Sequence, residues 1–454
     1  MTFQSINPTT GQVLERFDPT APAALERVLA RAHSAATDWR RRPVAERAAL
    51  LRETAALLRA RKAACARTMA LEMGKPVSQG EAEAEKCAWA CEYYAEHGGS
   101  MLTQDARVTD ASRSYVRLDP LGPILAIMPW NFPFWQVFRF AAPALVAGNV
   151  TILKHAPNVP RCALDLEELF RDAGFPEGVF SSVFIELDAV AAVIADNRIH
   201  GVTLTGSPRA GASVGEHAGR ALKKVVLELG GSDPFIVLED ADVARAAETA
   251  AEARLVNSGQ SCIAAKRFIV VEKIADRFLE GFTRAMQART VGDPLERGTA
   301  VGPLARLDLR AALHRQVEES QRRGARIICG GVLPDGPGAF YPPTIVTAVA
   351  PGMPAFDEET FGPVAAVIRA RDEGEALRLA NASVYGLGAS LWTEDRDRAE
   401  RLAGELEAGT VFMNALVKSD PRLPFGGVKR SGYGRELSEF GLREFVNVKS
   451  VWIA

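Results

Sequence analysis

Two parallel β-sheets, each covered by helices on both faces, are what this sequence predicts: an α/β protein with two doubly wound parallel-sheet domains and a small additional β segment. Three observations carry the prediction. From Leu121 onward, short apolar runs alternate with helical stretches. The runs are continuously apolar rather than alternating, which suits strands buried on both faces. The chain has 454 residues, more than one core ordinarily organises, so two or three domains are expected.

The first hundred or so residues read as mostly helical. Apolar residues at helical spacing over Ala23–Trp39 follow the turn-prone Asp18-Pro19-Thr20, and Ala45–Met73 reads as two consecutive helices stopped by Gly74. Ser78–His97 reads as another, ended by Gly98-Gly99. The buried strands then expected are Ile124–Met128, Val150–Leu153, Val179–Phe184, Val202–Thr205 and Val225–Leu229. Between them come helices at Trp135–Val146, Arg161–Ala173, Ala189–Ala195 and Arg209–Leu222. Such a sheet binds dinucleotides at the carboxyl ends of its strands. A second α/β unit begins after about Gly231, with candidate strands Phe235–Leu238, Phe268–Val271, Ile327–Cys329, Val364–Ile368 and Val411–Asn414. Ser114–Leu118 and Phe445–Trp452 also read as strands, apolar enough to need a partner in each other or in another subunit.

The net charge of −2 argues against nucleic acid or an anionic membrane as main partner, and a local basic patch stays open. No apolar run approaches membrane-spanning length and the N-terminal stretch lacks a signal-peptide pattern, so a cytoplasmic protein is expected. The six cysteines form no CxxC pair, and Cys87 and Cys91 read as small buried helix residues. The six histidines are scattered, so no metal site is expected.

Four local signals carry chemistry. In Gly259-Gln260-Ser261-Cys262 a cysteine after a glycine turn presents a nucleophile, although a lone cysteine is more often structural. Glu228, before Leu229-Gly230-Gly231 at the end of an apolar strand, is a candidate general base or a strand-end glutamate facing solvent. Asn131, in Pro129-Trp130-Asn131-Phe132-Pro133, is a candidate amide donor to an oxyanion or an ordinary turn residue. Leu204-Thr205-Gly206-Ser207, with Gly211 opening a helix, is an anion site for a pyrophosphate or a plain strand-to-helix turn.

Together, in order and spacing, these signals resemble the aldehyde dehydrogenase superfamily from end to end. The resemblance rests on Pro129–Pro133, Lys154, Gly206-Ser207, Glu228–Gly231, Gly259–Cys262, Glu359-Thr360-Phe361-Gly362-Pro363 and Pro424–Gly427. It implies an aldehyde dehydrogenase-like fold, with a dinucleotide-binding domain at 1–107 and 121–230, a catalytic domain at 231–435, and an oligomerisation segment at 108–120 and 436–454. By similarity, Cys262 attacks the aldehyde, Asn131 and the Cys262 N–H hold the oxyanion, and Glu228 activates the water that releases the acid. Trp130, Lys154, Gly206, Ser207, Leu229, Glu359 and Phe361 match cofactor positions. His155-Ala156-Pro157 follows Lys154 where many relatives carry Pro-Ala-Glu. Position 157 therefore lacks the acid that would repel a 2′-phosphate, and NAD and NADP both stay open. A homodimer or homotetramer is implied.

Arg139 lies in an otherwise apolar helix, which is expensive unless it meets an anion. In the similar succinate-semialdehyde dehydrogenases an arginine at this position binds the substrate's distal carboxylate; the alternative is a structural carboxylate partner. Phe132 and Phe425 are expected beside it. Several relatives carry a second arginine six residues before the nucleophile; here that position is Val256, with Arg254 nearby. Other outcomes are preference for glutarate semialdehyde or a neutral aldehyde, a CoA-acylating dehydrogenase, which Glu228 argues against, and a non-catalytic relative.

Overall fold

The computed structural model describes residues 3–454. A six-stranded sheet orders Gly432–Tyr433, Lys224–Glu228, Gly201–Thr205, Pro123–Met128, Val150–His155 and Phe180–Ser182 side by side. Neighbours are parallel except Gly432–Tyr433, an antiparallel edge strand drawn from the stretch that sequence assigns to the catalytic domain. A seven-stranded sheet orders Arg326–Cys329, Thr344–Thr347, Val364–Ala370, Arg267–Val271, Pro234–Val237, Gly388–Trp392 and Thr410–Met413. There Arg326–Cys329 is the antiparallel edge.

The two orphan strands find each other: Val446–Ile453 pairs antiparallel with Arg113–Pro120, and Asp105–Arg107 adds a third strand. Strands that sequence did not anticipate include the hairpin Phe3–Ile6 with Val13–Phe17, and Thr344–Thr347. Gly388–Trp392 is another, an interior strand of the larger sheet. Its first residues are Gly, Ala and Ser, so it lacks the β-branched signature that marks strands. Gly388 has a packing reason: a Cβ there would come within 2.6 Å of the Asp233 carboxylate.

Gly74 ends the helix Lys62–Met73 with φ 78°, as a left-handed cap should. Gly98-Gly99 does not end the next one, which runs Val77–Met101. Gly98 instead lets that helix approach the buried helix Trp135–Ala147, since a Cβ would lie 2.9 Å from Val146. Cys87 and Cys91 are fully buried on this helix. Among the described residues no helix is long and apolar enough to cross a membrane.

Candidate active site

Cys262 lies just beyond a strained turn. After the helix Val243–Leu255 the chain passes through Asn257, Ser258 and Gly259, all with positive φ (53°, 55° and 75°). For the two non-glycine residues this conformation costs roughly 1–2 kcal/mol each, so neighbours must impose it. The Asn257 amide donates to the carbonyls of Asn131 (2.7 Å) and Gln260 (3.0 Å), and its backbone N–H donates to Gln79 (2.7 Å). Ser258 Oγ accepts from Gly302 N at 2.9 Å. Gly259 must be glycine for space too, because a Cβ would sit 2.2 Å from the Gly362 carbonyl. Arg254, which sequence could not orient, is buried and donates to Gly259 O at 2.6 Å, so it braces the turn. Lys266 donates to the carbonyls of Ser261 (2.9 Å) and Cys262 (2.5 Å). The thiol of Cys262 emerges half-buried from this frame. Burial pushes its pKa up, and the charges of Arg139 and Lys266 pull it back.

The other two expected catalytic residues approach from the six-stranded sheet. Asn131, in the loop after Pro123–Met128, donates its amide to Gln260 O at 3.1 Å, which leaves one amide hydrogen for another acceptor. Glu228 ends the strand Lys224–Glu228 and is 1% exposed. Burial raises its pKa and Glu436 raises it further, while Arg139, with Nη2 3.7 Å from Oε2, opposes both.

A cavity of about 400 Å³ opens beside Cys262. Phe132, Trp135 and Phe425 give it apolar walls, and Arg139, Lys86 and Ser419 line it as well. Arg139 therefore reaches the cavity as expected, with its guanidinium 4.6 Å from the Phe425 ring centre. The structure also gives it a carboxylate of its own: Arg139 Nε is ion-paired with the buried Glu436, and Nη2 donates to Thr205 at 3.3 Å. Sequence reasoning named neither Glu436 nor the polar group formed by Lys86, Trp135 and Ser419. Glu436 stands in Gly434-Arg435-Glu436 and Ser419 in a loop, with no local pattern to mark either.

Glu83 holds the wall in place. Its Oε1 accepts the backbone N–H groups of Phe134 and Trp135, both at 2.9 Å, which caps the helix carrying Arg139. The carboxylate also pairs with the fully buried Lys75, whose ammonium lies 3.8 Å from the Phe132 ring centre. Glu83→Ala is expected to destabilise the protein by about 3–5 kcal/mol because it leaves a buried, unpaired ammonium. Urea unfolding measures this, and the double variant with Lys75→Met should recover part of the loss.

The remaining expected residues lie outside the lining of that cavity. Ser207 caps the helix Pro208–Arg220, accepting from Ala210 N at 3.3 Å, and Gly206 N donates to Glu228 O at 2.9 Å. Leu229 fills the space above Gly211, where a Cβ would lie 2.6 Å from its methyls. Glu359 accepts from Gly231 N at 3.0 Å and lies 3.6 Å from Lys266, and its carboxylate occupies the room a Cβ on Gly230 would need. Trp130 and Phe361 meet edge to face, 5.7 Å apart. Lys154 is buried near the end of Val150–His155. A helix N-terminus behind a glycine turn, a buried ammonium and an aromatic pair are a donor set suited to a dinucleotide.

Residues 1–451 match the aldehyde dehydrogenase family. The chain is 50% identical over 457 residues to succinate-semialdehyde dehydrogenase (NADP(+)) 1 of Mycobacterium tuberculosis, covering 100% of both proteins. It is 49% identical over 448 residues to succinate semialdehyde dehydrogenase (NAD(P)+) of Escherichia coli, covering 99% of this chain and 97% of that one. A crystal structure of succinic semialdehyde dehydrogenase from Streptococcus pyogenes with NADP+ superimposes with a TM-score of 0.97 at 40% identity, covering 99% of each chain. The chain belongs to the aldehyde dehydrogenase family.

Proposed function

We propose that this protein oxidises succinate semialdehyde to succinate, with NADP or NAD as oxidant, through a thioester on Cys262. The observation that carries the reading is one small cavity that joins the Cys262 thiol to apolar walls and cationic groups. Apolar walls suit a short carbon chain, and cations suit a carboxylate at its end. The relatives' names point to the same substrate class.

In this reading Cys262 Sγ attacks the aldehyde carbon. Asn131 Nδ2 and the Cys262 N–H donate to the oxyanion that results. A nicotinamide cofactor held here would supply the hydride acceptor that oxidation of the tetrahedral carbon requires. Glu228 takes a proton from the water that cleaves the thioester, and its raised pKa suits a base working near neutrality. Lys154, Gly206, Ser207, Leu229, Trp130, Glu359 and Phe361 hold the cofactor. Pro157 offers no carboxylate against a 2′-phosphate, which supports use of both cofactors.

The reading extends to the whole chain. The dinucleotide-binding domain comprises 1–107 and 121–230, and the catalytic domain 231–435. The segments 108–120 and 436–454 form the contact of a homodimer or homotetramer, supported by the exposed Val448, Trp452 and Ile453. Six free cysteines support a cytoplasmic location.

The test is kcat/KM for succinate semialdehyde, glutarate semialdehyde and butanal, each with NAD and NADP. Preference for succinate semialdehyde supports the proposal; equal or better use of butanal overturns it.

A further inference from the structure

The peptide group between Pro133 and Phe134 is held from both sides by buried side chains. Its N–H donates to Glu83 Oε1 at 2.9 Å, and its carbonyl accepts from His155 Nε2, also at 2.9 Å. The helix that follows passes this carbonyl over: Gln136 N donates to Phe132 O and Val137 N to Phe134 O. The ring is oriented as well. His155 Nδ1 accepts from Ala156 N at 2.9 Å, so the neutral ring carries its hydrogen on Nε2 and donates it to Pro133. Burial pushes the His155 pKa down to about 4, against the pull of the Pro133 and Met128 carbonyls, so the ring is neutral where the enzyme works.

His155 ends the strand Val150–His155 and stands opposite Met128, the last residue of the neighbouring strand. The loop 129–133 therefore leaves the sheet beside His155 and is caught again by its ring at Pro133. Two of the five loop residues are prolines, which have no N–H to anchor it. Asn131 sits in the middle. Resting on the oxyanion role proposed for Asn131, we infer that His155 is a positioning residue for the oxidation: its Nε2–H closes the loop and so aims the Asn131 amide at the oxyanion. Both ring nitrogens are engaged by backbone groups, which leaves neither to act on substrate or cofactor. A buried carbonyl deprived of its donor turns toward another partner and carries its loop along. Proline, which many relatives carry at this position, has no side-chain donor to offer Pro133, so this closure is particular to chains with histidine here.

The test compares His155→Asn and His155→Gln with wild type. Glutamine places its amide nitrogen where Nε2 stands and keeps the bond to Pro133. Asparagine reaches only as far as Nδ1, so it keeps an acceptor for Ala156 N and loses Pro133. Three quantities are read: the first-turnover rate of cofactor reduction after rapid mixing, the rate of Cys262 alkylation by iodoacetamide, and NADP affinity. The first is measured with succinate semialdehyde and with butanal, so the outcome does not depend on which aldehyde the enzyme prefers. His155→Asn is expected to slow the first turnover about ten- to a hundredfold, less than the roughly hundred- to thousandfold of losing an oxyanion donor outright. Alkylation displaces iodide at a saturated carbon and builds no oxyanion, so its rate should stay near wild type, as should NADP affinity. His155→Gln should recover most of the first-turnover rate. In an Asn131→Ala background His155→Asn should cost less than about threefold more, because the group it positions is gone. Should His155→Asn not fold, His155→Phe fills the ring's space without a donor and should show the same loss. A first turnover within about threefold of wild type in the donor-free variant, the limit set for the Asn131→Ala background, overturns the inference. So do equal losses in both variants, a matching fall in alkylation or NADP affinity, and a full loss in the Asn131→Ala background. A wild-type first turnover in Asn131→Ala alone removes the oxyanion role itself, and the inference with it.

Discussion

Cys262→Ala is expected to reduce aldehyde oxidation to below about one hundredth of wild type, on the scale of losses from removing catalytic groups, with thermal stability and cofactor affinity close to wild type. An aldehyde carbon is a poor hydride donor until a nucleophile makes it tetrahedral, so losing the thiol removes the reactive intermediate. The fold should tolerate the change. The turn is held by Asn131, Asn257, Arg254 and Lys266 acting on backbone carbonyls, and the sulfur takes no part in those contacts. Steady-state formation of reduced cofactor, with calorimetry as a control, measures both. Turnover above that level would remove Cys262 from the mechanism.

Glu228→Gln separates the two halves of the reaction. Glutamine keeps the shape of the side chain and removes the base, so thioester hydrolysis should slow far more than hydride transfer. Rapid mixing should show a burst of reduced cofactor followed by slow turnover. The pH dependence follows from the same carboxyl. Burial holds its pKa above the ordinary carboxylate range, although Arg139 opposes the shift. A base must be deprotonated to act, so hydrolysis-limited turnover in wild type should rise with pH through a value above that range, and Glu228→Gln should lose that rise. Disappearance of the burst itself would place Glu228 at an earlier step, taking the proton from a Cys262 thiol whose pKa burial pushes to about 12.

Much of this protein was legible because its chemistry rides on local segments. The strands ending at Met128, Thr205 and Glu228 are short apolar runs, and the residues that follow them carry Asn131, Gly206 and the Gly230-Gly231 pair. Local order therefore placed the five parallel strands of the first sheet, while its antiparallel edge Gly432–Tyr433 comes from a distant stretch that no local pattern marked. The interior strand Gly388–Trp392 escaped because its small residues answer to close packing against Asp233 rather than to propensity. Gly98 misled for the same reason, its missing side chain making room for Val146 instead of stopping a helix.

What sequence alone offered was a set of candidates, each with a structural alternative, which the family resemblance ordered into one chemistry: a thiol after a glycine turn, a carboxylate at a strand end, an amide between prolines. What only the tertiary structure decided was where the charges go. Arg139 is a lone cation in an apolar helix until the fold brings Glu436 to it from the other end of the chain. Lys86 and Ser419 are separated by 333 residues and become neighbours only at the cavity wall. The physical reason is range. Propensity and turn geometry act over a few residues and leave their mark in the local sequence. A buried charge is governed by every group that the folded chain places within a few ångströms of it, and no local pattern records which groups those are.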